Sequence, residues 1–422
     1  MKNARWLSLV VVVALVSLLV SACSGGSGKT TIIITNGKGE ISTQWEQAAK
    51  DFMAANPDIT IEAYSNAVGD SLSAYEKLTA SGKTVTLGMF EPGSLLEKHN
   101  GVGIDLSKEK WASETVDIVK DGDGTPVGFP FAVEGYGIIY NKSVVEKAVG
   151  GSFDPYSINT RDKLIALFDK VKASGIEFPV AYQTEAWSVG NHYGSLFLNQ
   201  GDPSQMATDL ANGKLKLAGN PTWEGLLDTM ELLASEKYNK YGKRPLGQYY
   251  DEAHVLVGSG EAAFLFNGNW AYDSLKALPE SEFGFIPVPV DNNADNPMNN
   301  KLSAGPTQVL VINKKASKAQ QDAAKKFLNW IVYESAGQDF LVTKSQIIPA
   351  FKNITLSVTN PLGKAIGEAV QAGKTMPFST NYINGGDYFN KVGPEVQKFI
   401  DKKIDRAQLA QFYEDYHATL KK

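Results

Sequence analysis

Three glutamates stand where the chain changes direction: Glu91 in Met89-Phe90-Glu91-Pro92-Gly93, Glu134 in Phe129-Pro130-Phe131-Ala132-Val133-Glu134-Gly135-Tyr136, and Glu185 in Gln183-Thr184-Glu185-Ala186-Trp187. Each has an aromatic residue beside it or two places away. Two chemistries use that combination. A pair of carboxylates flanking a glycosidic bond supplies the acid and the nucleophile of hydrolysis. Alternatively, a carboxylate accepts hydrogen bonds from sugar hydroxyls while a ring covers the apolar C–H face, and nothing is cleaved. A mixed polar and aromatic run, Gln183, Thr184, Glu185, Trp187, Asn191, His192 and Tyr193, follows a short apolar segment and suits the second chemistry.

Other motifs fail on their own terms. Gly28-Lys29-Thr30 has the end of a phosphate-binding loop, but Cys23 stands where the first glycine belongs and no strand precedes it. Asp121-Gly122-Asp123 mimics a calcium loop, yet Ala132 occupies the place of the bidentate carboxylate, so the stretch reads as a hairpin turn feeding Phe129. The four histidines have no metal-ligand spacing and no Gly-x-Ser-x-Gly occurs, so no metal, cofactor or esterase chemistry is expected.

A chain of 422 residues with 43% hydrophobic content has room for two or three cored domains. Its net charge of -5 and dispersed basic residues argue against nucleic acid as a partner. Lys2 and Arg5 precede an apolar run from Trp6 to Val20, shorter than the roughly 20 residues of a spanning helix, which reads as a signal peptide over 1–22. Cys23, the one cysteine, ends that run and is followed by a Gly/Ser-rich tether to residue 30; the folded part therefore has no disulfide.

The positioning elements alternate in type. Thr31 to Thr35 is a β-branched strand, the loop Asn36 to Glu40 follows, and Trp45, Ala48, Ala49 and Phe52 share a helix face before a second strand at Ile59 to Ala63. The first loop of such a βαβ unit points to the carboxyl edge of the sheet, where α/β proteins bind ligands. Val85 to Phe90 reads as the next strand. Pro130 and Gly135 are expected to interrupt the extended run around an exposed Glu134, where the chain passes between lobes. Helices are expected over Leu164–Val171, Pro221–Ser235 and, behind a Ser317–Gln320 capping box, through Ile331. Asn267-Gly268-Asn269-Trp270 is a tight turn, Phe283 to Val290 a second passage, Ser303 to Thr307 a pocket loop, and Met376 to Tyr382 an irregular aromatic loop.

The Pro, aromatic, Ala-Val-Glu and Tyr140-Asn141-Lys142 pattern, with Gly260-Glu261-Ala262-Ala263, Asn269-Trp270, Phe285-Ile286-Pro287-Val288-Pro289 and Ser303-Ala304-Gly305 following in order, resembles the extracellular solute-binding proteins of carbohydrate ABC transporters, the maltose-binding-protein-like family 1. Lys83-Thr84-Val85 departs from that family's Pro-Asp-Val, and Cys23 resembles a lipobox cysteine. The resemblance implies an α/β fold of two lobes with three crossovers, 31–133 with 287–334 and 134–286 with 335–422, the last crossover near Tyr333 to Gly337. It implies a lipid-anchored, monomeric, non-catalytic receptor on the outer face of the cell membrane that hands an oligosaccharide to a permease. The ligand residues it implies are Glu134, Trp270, Phe90, Glu91, Tyr136, Glu185, Trp187, Asn269, Phe378 and Tyr382. A polyamine, phosphorylated polyol or peptide remains the alternative solute; a phosphate would call for arginines that the candidate loops lack.

Overall fold

A computed structural model describes residues 28–66, 72–275, 282–383 and 387–420. The signal peptide and Cys23 lie outside these residues. Strands β1 (Thr30–Asn36) and β2 (Ile59–Ser65) are parallel and joined by the helix Ser42–Ala55. That helix buries the expected stripe of Trp45, Ala48, Ala49 and Phe52. Strand β3 (Leu87–Phe90) adds on the other side of β1, and β8 (Leu302–Ile312) runs antiparallel to it, followed by β5 (Pro126–Asn141) and β4 (Val119–Lys120). The capping box on Ser317 and Gln320 starts the helix Lys318–Tyr333, whose Phe327 lies 5.8 Å from Trp45 and 5.1 Å from Phe52 between ring centroids. Edge-on and tilted rings of this kind fill the core without voids.

β5 is not interrupted. It is one strand of 16 residues, paired through Gly128–Tyr136 with β8 and through its second half with β6 (Phe264–Gly268) and β7 (Phe283–Ile286). The expected break is replaced by two register shifts, between Pro130 and Ala132 and between Ala132 and Val133, next to Pro306 on β8. Neither proline has an N–H for the ladder, so the strands lose register there and stay together. β8 is likewise a strand where a pocket loop was expected at Ser303–Thr307; its start pairs with β9 (Thr375–Pro377) and its end with β3.

The molecule is a two-lobed α/β structure in which β5 and β8 run side by side from one lobe into the other. The second lobe has its own core around Phe168, Phe264, Leu227 and Tyr413, with the helices Arg161–Ala173, Pro221–Ala234 and Arg406–Thr419. Two passages differ from the sequence reading. Val288 and Val290 are buried in the second core, and Arg161 Nη2 donates to the Gly225 carbonyl at 2.8 Å and to that of Val290, so 287–300 stays with the second lobe and β8 makes the crossing. Phe340 packs 5.3 Å from Trp45, and Phe351 packs 4.9 Å from Phe129. Residues 335–351 therefore remain with the first lobe's aromatic core, and the third passage falls between Phe351 and the helix Pro361–Gln371 instead of near Tyr333–Gly337.

Candidate functional site

Glu134 sits on β5 just past the register shifts, half-buried instead of exposed. Lys38 Nζ lies 2.9 Å from its Oε1, and Thr307 on β8 donates its hydroxyl to Oε2 at 2.8 Å. Lys38 reaches it from the loop after β1. Asn36, itself buried, shapes that loop by accepting from the Lys38 N–H and donating to the Lys38 carbonyl, both at 2.9 Å. Three elements of the first lobe thus converge on one carboxylate.

The next residue links to the aromatic half of the site. The Gly135 N–H donates to Asn269 Oδ1 at 2.8 Å, which fixes the single turn Asn269–Ala271 that carries Trp270. Trp270 lies over its own Gly268: a Cβ there would fall 2.2 Å from the indole. His192 packs 5.0 Å from Trp270, and Trp187 packs 5.3 Å from His192 and 6.4 Å from Trp270. Trp187 and Trp270 are half-buried, so each keeps part of a ring open, whereas burial pushes His192 down to about 3 and leaves it neutral.

His192 belongs to a π-helical turn, Ser188–Tyr193, of the kind that often marks functional sites, and Trp187 caps its start. Backbone packs on backbone behind it. A Cβ on Gly190 would meet the Tyr388 carbonyl at 2.3 Å, and one on Gly393 the Ala186 carbonyl at 2.3 Å, so the platform rests on the turn Tyr388–Val392 without side-chain cushioning. Tyr250, 6.1 Å from Trp187, is held by His254: its carbonyl accepts from His254 Nδ1 at 2.5 Å, while Asn267 Nδ2 donates to Nε2 at 3.0 Å.

The chain on either side of Ala186 carries buried polar groups short of partners. Neither carboxylate oxygen of Glu185 is hydrogen-bonded to another residue, nor is either amide atom of Gln183, the hydroxyl of Tyr182 or that of Ser188. Burial pushes the Glu185 carboxyl up. Native interiors rarely leave buried polar groups unsatisfied, and those that persist point to water, an ion or a ligand. Of the four side chains, Gln183 and Glu185 belong to the polar and aromatic run seen in the sequence, and of these Glu185 was expected as a contact.

The remaining expected contacts divide. Phe90 is 1% exposed and packs 4.7 Å from Tyr75, within the first lobe's second apolar cluster, so it cannot touch a ligand. Tyr136, 1% exposed, lies under the platform and donates to the His192 carbonyl at 3.1 Å. Asn269 is a buried fastener for Gly135, and Phe378, 6% exposed, packs 5.0 Å from Tyr136. Polarity and aromaticity in sequence do not say which face a side chain takes, so the burial of these four was not legible there. Glu91 is exposed at the start of the helix Pro92–Lys98, and Tyr382 is 42% exposed. Lys38 was missed as a residue, although its loop carried the signal. No group of three or more His, Cys, Asp or Glu able to hold a metal occurs among the described residues, and no helix there is long and apolar enough to cross a membrane.

Two lobes joined by continuous strands, with half-buried indoles on one lobe and a clamped carboxylate at the junction, make up the architecture of a solute-binding protein. The family model of the bacterial extracellular solute-binding proteins matches residues 47–365, and the chain belongs to that family. An uncharacterised ABC transporter extracellular-binding protein of Pyrococcus horikoshii is 28% identical over 245 residues, 56% of this chain; the match spans about half the length of that relative. Among solved structures, the apo form of RafE from Streptococcus pneumoniae is similar with a TM-score of 0.74 at 16% identity, covering 94% of this chain and 100% of that one. A family 1 extracellular solute-binding protein from Bifidobacterium longum subsp. infantis has a TM-score of 0.71 at 20% identity, covering 93% and 100%. A sugar transporter protein of Bacillus licheniformis in complex with stachyose has a TM-score of 0.67 at 15% identity, with the same coverage.

Proposed function

We propose that this protein captures an oligosaccharide between its lobes and delivers it to the permease of an ABC transporter, tethered to the outer face of the cell membrane through a lipid on Cys23. The observation that carries the reading is the platform of Trp187 and Trp270 around a neutral His192, with the unpartnered Glu185 and Gln183 in the same segment as Trp187. Half-buried rings packed edge-on and tilted, with uncompensated acceptors in the same segment, suit a ligand that is apolar on its ring faces and rich in hydroxyl donors at its edges. The stachyose complex and a raffinose complex of RafE are of proteins with the same fold, which favours sugars of that size class.

The rivals have less support. A phosphorylated polyol needs a free cation, and Lys38 is engaged by Glu134. Hydrolysis needs a mobile acid and nucleophile, whereas Glu134 is clamped by Lys38 and Thr307. A polyamine has one observation in its favour, the unpartnered carboxylate of Glu185. Calorimetric titration with galactose, raffinose, stachyose, maltose, maltotetraose and spermidine separates these classes. Saturable binding of a sugar, with a smaller radius of gyration in the bound state, is the expected result, since a ligand touching both lobes favours the closed arrangement by its extra contacts. Binding of spermidine alone would overturn it.

A further inference from the structure

Strand β6 alternates between two cores. Phe264 and Phe266 enter the second lobe's core, so Leu265 and Asn267 take the opposite face, where Leu265 shares a cluster with Ala253 and Val257 of the helix Tyr250–Ser259. Asn267 is fully buried, and an amide at a position patterned for an apolar side chain needs partners. The Gly268 N–H donates to its Oδ1 at 2.8 Å, and its Nδ2 donates to Nε2 of His254, also fully buried, at 3.0 Å. The other nitrogen of that ring, Nδ1, donates to the Tyr250 carbonyl at 2.5 Å.

The direction of every bond in this relay is forced. A carbonyl only accepts, so Nδ1 carries the proton, and a backbone N–H only donates, so Oδ1 of Asn267 must face Gly268. The amide NH2 is then left for His254, and Nε2 must be the bare acceptor. A proton on Nε2 would meet that NH2, and turning the amide over would set the NH2 against the Gly268 N–H. Neither orientation of Asn267 satisfies both neighbours once the ring is charged. Burial pushes the imidazole down and favours the uncharged form, and Asp251 on the same helix is the charge that opposes this. β6 and β5 turn Asn267 and Asn141 to the helix, and neither titrates; Asn141 reaches the Val257 carbonyl at 2.9 Å. Tyr250 feels Glu185, and the short helix Tyr272–Leu275, packed alongside, carries Tyr272 and Asp273.

Both ends of the relay meet an indole of the platform. Gly268 is the residue over which Trp270 lies, a Cβ there falling 2.2 Å from the indole, and it opens the turn Asn269–Ala271. Tyr250 packs its ring 4.1 Å from that of His254 and 6.1 Å from Trp187. We propose that uncharged His254 is the positioning residue of the platform, holding the backbone of Trp270 through Asn267 and the flank of Trp187 through Tyr250, so that a proton on its Nε2 loosens both indoles and weakens binding. The inference rests on the reading of Trp187 and Trp270 as ligand contacts and adds that affinity depends on a buried side chain touching no ligand.

Two variants separate the relay from mere packing. His254→Phe keeps a ring against Tyr250 and offers no acceptor, whereas His254→Gln has a carbonyl for the Asn267 amide and never ionises. Calorimetry at pH 8 uses whichever of galactose, raffinose, stachyose, maltose and maltotetraose wild type binds most tightly. His254→Phe should lose about tenfold in affinity and His254→Gln less than about threefold. Between pH 8 and 5 wild-type affinity should fall, because the lowered imidazole takes its proton below the ordinary value of about 6.5, while His254→Gln keeps a flatter profile. Glu185 titrates in both proteins, so the difference between the profiles belongs to His254. Nitrogen-15 spectra of the unliganded protein read the relay with no sugar present. At pH 8 His254, assigned by the loss of its signals in His254→Gln, should be neutral with its proton on Nδ1. The Trp270 indole N–H resonance should shift as pH falls to 5 in wild type and stay in place in His254→Gln. A charged ring or a proton on Nε2 at pH 8, an unmoved Trp270 resonance, or equal affinities of wild type and His254→Phe overturn the proposal. A wild type that binds none of these sugars overturns the sugar-binding reading alone, since the spectra still decide the relay.

Discussion

Lys38 and Glu134, 96 positions apart in sequence, meet at 2.9 Å with side chains 14% and 16% exposed. Pairing makes the carboxylate tolerable at that depth, and the Thr307 hydroxyl takes its other oxygen. Removing only the cation leaves a half-buried charge with one neutral donor, which costs more than the pair itself contributes. Lys38→Met should therefore destabilise the unliganded protein by about 2 kcal/mol, and Lys38→Met with Glu134→Gln by less than Lys38→Met alone. Urea titration of wild type and the two variants measures both quantities.

Trp270 and Phe327 separate binding from folding. Phe327 is fully buried among Trp45, Phe52 and Trp330, so Phe327→Ala should cost about 3–5 kcal/mol. Trp270 is half-buried, with its ring on Gly268 and His192, and Trp270→Ala should cost less than half as much while lowering sugar affinity roughly thirtyfold. Thermal unfolding and calorimetry on the same samples check the contrast. Unfolding of Trp270→Ala comparable to that of Phe327→Ala would show that the indole is core.

Glu185 gives a pH signature. Its folded carboxyl is raised by burial, opposed in small part by its own backbone N–H, so the folded state binds the proton more tightly than the unfolded chain does. The contribution of this group to stability is then fully present below the unfolded value of about 4.3 and is lost as pH rises through the folded value. Compared with wild type, Glu185→Gln should be the more stable protein at pH 8, with the difference shrinking as pH falls toward 4. The same variant should bind sugar more weakly at pH 8. Melting temperatures from pH 4 to 8 that stay parallel for the two proteins would contradict the assignment.

Cys23 is expected to hold the protein at the membrane by its lipid, with Ser24 to Thr30 as spacer. Cys23→Ala should be recovered from culture medium or a soluble fraction with wild-type sugar affinity. Fractionation followed by calorimetry tests this directly, and a mutant that stays with the membranes would rule out the anchor.

Much of the fold was legible because period and burial coincide. Trp45, Ala48, Ala49 and Phe52 repeat at helical spacing and are the buried face, and Ser317 with Gln320 makes the capping box their sequence spells out. The crossings were harder. Pro130 was read as a break, but a missing N–H costs one ladder bond, and a strand with a neighbour on both sides absorbs that by slipping register. At the site, the three segments carrying Glu134, Glu185 and Trp270 were legible as chemistry. Their pairing was not: that Lys38 clamps Glu134 and that Asn269 fastens Gly135 are contacts between residues 96 and 134 positions apart, which no local pattern encodes.

The lodging of β8 between β3 and β5 has a consequence for how the chain reaches this state. Strand 302–312 completes the ladder β2-β1-β3-β8-β5-β4, whose other members end at residue 141, so the first lobe waits for some 160 intervening residues before that ladder can close. Much of the second lobe's core lies inside that gap, and the rest, with Tyr413, follows it. A chain emerging from its N-terminus therefore has no finished first domain to collapse into, and long-range pairing makes its folding slow relative to its synthesis. Cutting the gene near residue 300 would yield the residues of an entire β1–β5 sheet with its middle strand missing, and no stable lobe.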